Sequence, residues 1–346
     1  MRVAVLGGTR FIGVAIVERL VAVGHDVVVI HRGRTEAGGT VDVPHVHTDR
    51  RDVPALSATL RDAGAEVLVD TCAWTAADAE SGVAALPEGC RAVVLSSMDT
   101  YRAFGAVHGR TVTDPLPLDE ESPVRTQRYL FAGTRRDDDI DVDVDRYENL
   151  DVEDRYLPAG ATVLRLPMVY GERDPQRREE FVLRRVRAGR TRIPFGAGTF
   201  LWTRGWVRDV AEAVRLAVER DVAAADARAR RHPGDGGCLP AGRILNVGEA
   251  RTWPVRQWAE QILTAAGSRA ELVAVPDDGL PDDLRLTGAI PQHLLVSSHR
   301  IRAALGWADT DPVEALRASV RWHLDHPPPA PDDDFSADDA ALATAG

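Results

Sequence analysis

Four short apolar runs mark the first part of the chain: Val3-Ala4-Val5-Leu6, Val27-Val28-Val29-Ile30, Val67-Leu68-Val69 and Ala92-Val93-Val94-Leu95. They are continuous rather than alternating and rich in β-branched residues, the pattern of strands covered on both faces of a parallel sheet. Helical spacing fills most of the intervals. Segment 11–23 carries apolar residues at 12, 16, 17, 20 and 23, and weaker helical stretches follow over 54–63 and 75–86. Strands and helices alternating at this spacing predict an α/β fold with a doubly wound parallel sheet. A helix over 147–157, a strand over 161–166 and a helix over 208–219 extend it.

Beyond Pro167 the pattern is mixed. Glycine and proline break it at 194–198, and the Ala/Arg/Gly stretch at 221–242 reads as a surface insertion. Helices are expected over 254–266, 298–305 and 312–323, the first and last opened by proline. Pro327-Pro328-Pro329 ends the last, and residues 327–346 read as a disordered acidic tail.

Composition sharpens this in two ways. The 42 basic residues are all arginine, which excludes Schiff-base chemistry, a phosphate-loop lysine and a lysine that tunes a tyrosine. The net charge of −11 is carried by six Asp within 137–145 and five in the tail, leaving the rest balanced. Such a chain is expected to bind neither nucleic acid nor an anionic membrane, where a basic surface supplies most of the affinity. With no apolar run of about 18 residues and a strand at the very start, a cytoplasmic location is expected. Cys72, Cys90 and Cys238 are too scattered for a disulfide framework or a metal pair and read as small buried or loop residues.

The main chemical signal is Gly7-Gly8-Thr9-Arg10-Phe11-Ile12-Gly13, between the first strand and the first helix. A glycine turn there lets backbone N–H groups and a helix N-terminus approach a pyrophosphate, while Gly13 permits close helix packing. An NAD site of this kind usually has an acid after the second strand for the ribose 2′-OH. Here that place reads His31-Arg32-Gly33-Arg34, Asp26 is at the wrong end of the strand, and Arg10 adds a third cation. Guanidinium groups suit a 2′-phosphate, so NADP is expected, with NAD as the second choice.

These residues resemble the extended, atypical branch of the short-chain dehydrogenase/reductase superfamily, the NAD-dependent epimerase/dehydratase-like group with a GGTRFIG turn. The resemblance extends through Leu95-Ser96-Ser97-Met98-Asp99-Thr100-Tyr101, Leu164-Arg165-Leu166-Pro167-Met168-Val169-Tyr170-Gly171, Trp206-Val207-Arg208-Asp209, Leu245-Asn246-Val247-Gly248 and Leu305-Gly306-Trp307. It implies a Rossmann-type dinucleotide domain at 1–166 and about 205–250, and a smaller C-terminal substrate domain at about 167–204 and 251–326. It also implies that Asp49 contacts the adenine and Ser97 holds the substrate oxygen. The family's Tyr and Lys do not follow. Counting from Glu153 puts Asn149 in the lysine's place and Asp145 in the tyrosine's. A second register pairs Tyr147 with Asp151, but a carboxylate raises a phenol pKa where an ammonium lowers it. Tyr147 also lies about 200° around a helix from the expected place, unless the helix starts late.

Nearby residues offer replacements. Asp99, two residues past Ser97, is the first candidate acid/base and Asp145 the second; Asn149 is expected to bond the nicotinamide ribose as a neutral amide. Tyr101, Met168, Trp202 and Arg204 are candidate substrate contacts, and Arg177, Arg178 and Arg208 lie in the same region. Arg184, Arg185 and Arg187 read as surface residues. No metal is expected: the Asp run lacks a calcium-loop glycine, and His45 and His47 read as ordinary strand residues. His108 reads as a solvated loop residue, and nothing around Ser97 resembles a hydrolase elbow. The expected function is an NADP-dependent oxidoreductase acting on a carbonyl or alcohol of a small polar metabolite, a homodimer being the assembly considered. Redox-neutral epimerase, dehydratase or isomerase chemistry and non-catalytic nucleotide binding are the alternatives.

Overall fold

The computed structural model describes residues 1–35, 41–134, 142–220, 244–330 and 332–345. The insertion expected at 221–242, Cys238, and most of the acidic run fall outside these. Six strands arise in the first half of the fold: β1 (Arg2–Leu6), β2 (Asp26–His31), β3 (His45–His47), β4 (Val67–Asp70), β5 (Arg91–Ser97) and β6 (Thr162–Leu166). Two small parallel pairs follow, β7 (Met168–Tyr170) with β9 (Arg204–Trp206) and β8 (Arg192–Phe195) with β11 (Glu271–Ala274), and β10 (Ile244–Asn246) joins the main sheet. That sheet runs β10-β6-β5-β4-β1-β2-β3, all parallel. The chain reverses direction of winding at β1, which pairs Val3 with Val27 on one side and Val67 on the other. Ligands of open α/β sheets bind outside the carboxyl ends of the strands at this reversal.

The expected strands form because both faces are covered. Helix α1 (Phe11–Ala22) buries Gly13, Val14, Ile16, Val17 and Leu20 and packs on α7 (Val207–Glu219). On the other face, α2 (Val53–Asp62) is capped by Asp52 and α3 (Ala76–Ala85) by a Thr75–Asp78 capping box. A charge cluster ties these helices to the sheet. Arg50 forks onto Asp70 at 3.1 and 2.7 Å and donates to the Asp78 carbonyl, while the Tyr156 hydroxyl donates to Asp70 at 2.6 Å. Cys72 lies against Arg50, its thiol pushed up to about 12 by burial, so it is a packed group and not a nucleophile.

The structure departs from expectation ahead of residue 149 and in the C-terminal tail. After α4 (Arg102–Gly109), helix α5 begins at Asn149 (Asn149–Tyr156), with Glu148 as its cap, so Tyr147 precedes the helix. Next come α6 (Glu180–Arg187), α8 (Val255–Ala265), α9 (His299–Leu305) and α10 (Pro312–Asp325). The tail expected to be disordered instead forms α11 (Ser336–Ala343). Asp338 anchors it through two 2.7 Å bonds to Arg185, and both side chains are fully buried. Arg185 is thus not a surface residue: its helical spacing is that of an exposed face, but Asp338 and Asp283 cover it from distant parts of the chain. Among the described residues no helix is long and apolar enough to cross a membrane.

Candidate active site

The glycine turn lies at the carboxyl end of β1. Gly7 has a φ of +90° and donates its N–H to the Ile30 carbonyl at 3.0 Å, a conformation that favours glycine. A Cβ on Gly13 would come 2.5 Å from the Gly7 carbonyl oxygen and 2.9 Å from Gly8 Cα, so only glycine lets α1 seat on the turn. The helix opens at Arg10 with no side-chain cap. Its amino end and positive dipole can therefore meet a phosphate, and this arrangement fits a dinucleotide. Thr9 is held by Thr35 at 2.7 Å. At the end of β2, buried His31 fills the place of the ribose acid; Arg32 is exposed beside it, and exposed Asp49 accepts the Arg51 N–H. His31 accepts the Gly33 N–H on Nδ1 at 3.2 Å, so its neutral ring donates from Nε2 to His45 Nδ1 at 3.0 Å. His45 and His47, expected to be plain strand residues, thus form a histidine cluster with His31.

Strand β5 delivers Ser97 and Asp99 to the mouth of the sheet. Ser97 Oγ accepts the Asp99 N–H at 3.1 Å, which leaves its O–H to donate elsewhere. Asp99 is buried. Its carboxylate accepts from the Tyr147 hydroxyl at 3.0 Å and from Asn149 Nδ2 at 3.1 and 3.2 Å, and Asn149 also donates to the Tyr147 oxygen at 2.7 Å. Burial raises the Asp99 pKa; Arg125, 3.8 Å from Oδ1, is the main opposing influence, with Asn149 and Tyr147 acting in the same sense. Arg125 also bonds the Asp99 carbonyl and forks onto fully buried Glu148 at 2.9 and 3.1 Å. Glu148 in turn accepts the N–H groups of Tyr129 and Leu150.

This cluster corrects several expectations. Tyr147, set aside on helical geometry, reaches Asp99 because the helix starts late. Asn149 faces Asp99 and Tyr147. Asp145 is exposed and accepts the Gly133 N–H at 2.8 Å, apart from the group around Asp99. Tyr101 is fully buried, donating to Asn246 at 2.7 Å beneath Arg165, and burial pushes its phenol up to about 12; it belongs to the core and not to a ligand surface. Met168 is likewise core, while Trp202 is half-buried and donates to Met98 Sδ at 3.3 Å. Arg204 is 1% exposed, stacked 4.2 Å over Trp258, and burial pushes it down to about 10. Glu153, used to set the register, is occupied by Arg165 and Ser96. Arg125 and Glu148 had no signal in the sequence, since neither sits in a motif and their pairing joins a loop to a helix cap.

A doubly wound sheet with a glycine turn at its winding reversal and a polar cluster at the adjacent strand end defines a dinucleotide-binding α/β protein. The sequence profile of the NAD dependent epimerase/dehydratase family matches residues 3–87 and 151–232, and the chain is similar to that family over those segments. It is 23% identical over 361 residues to the chloroplast stem-loop binding protein of 41 kDa b of Arabidopsis thaliana, covering 99% of this chain and 84% of that protein. Its fold is that of dTDP-glucose 4,6-dehydratase from Bacillus anthracis, solved with NAD (14% identity, TM-score 0.65, 94% of this chain and 97% of that one). UDP-glucose 4-epimerase from Thermotoga maritima, solved with UDP-glucose, is also similar (16% identity, TM-score 0.62, 94% and 99%).

Proposed function

We propose that the protein is a nicotinamide-dependent oxidoreductase acting on a carbonyl or alcohol, with Tyr147 as the proton-transfer group and Asp99 behind it. The observation that carries this reading is the 3.0 Å contact of the Tyr147 hydroxyl with the Asp99 carboxylate, beside Ser97 at the mouth of the sheet. When bound, the nicotinamide supplies or accepts the hydride. In the reducing direction Ser97 donates a hydrogen bond to the carbonyl oxygen, and Tyr147 gives it a proton as the carbon gains hydride, leaving an alcohol. Asn149 holds the phenol oxygen as charge develops there. Asp99, whose raised pKa lets it exchange a proton closer to neutrality than an ordinary aspartate, returns one to Tyr147. The same groups run in reverse for an alcohol, and both directions in succession give the redox-neutral chemistry that the family's name describes. Turnover with a carbonyl panel followed by NADPH absorbance tests this: Asp99→Asn should lose about 100-fold or more in rate, and full activity in that variant would remove Asp99 from the relay.

NADP is proposed over NAD because His31, not an acid, ends β2, with exposed Arg32 next to it. The structural relatives solved with NAD make the opposite outcome informative; tighter binding of NADH than NADPH would overturn the preference. A stem-loop ligand, as in the name of the Arabidopsis relative, is disfavoured by the net charge of −11.

A further inference from the structure

Most of the candidate arginines have partners within the protein. Arg204 is buried over Trp258 and donates from Nη1 to the Trp253 carbonyl, its Nε and Nη2 lacking a hydrogen-bond partner among the described residues; Arg177 bonds Glu180 and the carbonyls of His323 and His326; exposed Arg208 pairs with Glu172 at 2.8 Å. Closer to the relay, Arg125 is clamped on Glu148, and Arg128 is divided between Asp151 and Asp154. A nucleoside diphosphate would bring its charges toward buried Asp99 and Glu148, with Arg125 and Arg128 already committed to carboxylates.

Aromatic side chains surround the relay instead. The Tyr147 ring meets Phe131 at 5.6 Å between centroids, Phe131 meets Phe104 at 6.2 Å, and Phe104 meets Trp202 at 6.4 Å, all edge to face. Trp202 Nε1 then donates to the sulfur of Met98, the neighbour of Asp99. The contacts therefore start at Asp99 and return to it, closing a ring of side chains around the mouth. All four aromatic residues are half-buried, and fully buried Phe200 backs Trp202 at 5.9 Å. Helix α4 supplies Phe104, the segment before α5 supplies Phe131 and Tyr147, and the segment leading into β9 supplies Trp202, so three separate parts of the chain converge on one apolar wall.

We propose that the substrate presents an uncharged aromatic ring to Phe104, Phe131 and Trp202, with its carbonyl or alcohol carbon toward Tyr147. Edge-to-face and offset stacking favour an aromatic guest among rings so arranged. The inference rests on the relay reading and replaces a generic polar metabolite with an aryl ketone or aryl alcohol. The test is saturation-transfer NMR on the full chain with NADP added, using acetophenone and UDP-glucose as probes. Acetophenone ring protons should receive saturation, and its affinity should fall about threefold to tenfold in Trp202→Leu and in Phe131→Leu. Tighter binding of UDP-glucose than of acetophenone, or unchanged acetophenone affinity in folded Trp202→Leu and Phe131→Leu, would overturn the proposal. Tyr147→Phe, measured alongside, separates the two readings: it reports on turnover and should leave acetophenone affinity within about twofold, so the relay and the wall fail independently.

Discussion

Removing Arg125 perturbs the site and the fold together. Arg125 is 5% exposed and Glu148 fully buried, and the two are joined by two hydrogen bonds. Arg125→Met strands the Glu148 carboxylate, which keeps only the N–H groups of Tyr129 and Leu150. Breaking one side of a buried pair costs about 3–5 kcal/mol, and the Asp99 carbonyl loses its donor for about 1 kcal/mol more. Glu148→Gln removes the charge but retains an amide oxygen for one of the two backbone donors, at about 2 kcal/mol. If the charges act as a pair, Arg125→Met/Glu148→Gln should cost less than the sum of the singles by about 2–3 kcal/mol. Urea unfolding followed by tryptophan fluorescence measures all four corners of the cycle. Additivity within about 0.5 kcal/mol would show that the pair is not coupled, and the reasoning fails. The chemistry supplies a second readout. Arg125 is the main influence holding the Asp99 pKa down against burial, so in carbonyl reduction, where Asp99 must hold a proton, Arg125→Met should move the limb at which the rate falls with rising pH to higher pH.

Three further outcomes follow from the packing. Asp338→Ala removes the buried partner of Arg185 and leaves Asp283 as its carboxylate partner beside the Phe181 carbonyl, so differential scanning calorimetry should show a loss of about 3 kcal/mol, and a change under 1 kcal/mol would mean that α11 is not anchored there. A Cβ at Gly82 would land on the Tyr156 hydroxyl and displace it from Asp70; Gly82→Ala should cost about 2–4 kcal/mol in denaturant, with partial recovery in Gly82→Ala/Tyr156→Phe, and a stable single variant contradicts the close packing. Burial raises the Glu249 carboxyl to about 7, so the folded chain holds a proton that the unfolded chain releases from about pH 4.3 upward. Its contribution is complete below that pH and is lost as pH rises through about 7, so Glu249→Gln should flatten the decline in stability over this window, whereas an unchanged slope would exclude Glu249 as its source.

The sheet was legible because its cause is local. Continuous β-branched runs and helical spacing at residues 3–95 need both faces covered, and β1, β2, β4, β5 and α1 appear where those patterns place them. The glycine turn was legible for the same reason: Gly13 touches Gly7, six residues away. The relay was less so. Asp99 and Asn149 stood out from the family resemblance, but Tyr147 was misplaced because the start of α5 depends on Glu148, which accepts from Arg125 and Leu150 as the helix opens. The arginines show the limit most clearly. Arg204, Arg208 and Arg185 look alike in sequence, yet one is stacked in the core, one is paired at the surface and one is locked to a helix 153 residues further on.

Side-by-side turnover of wild type and Tyr147→Phe, with NADPH affinity measured on both, tests the proton relay most directly. The predicted result is a rate lower by about 100-fold or more with a dissociation constant within about twofold, because the phenol acts on the substrate oxygen and not on the glycine turn. Undiminished turnover by Tyr147→Phe would contradict it.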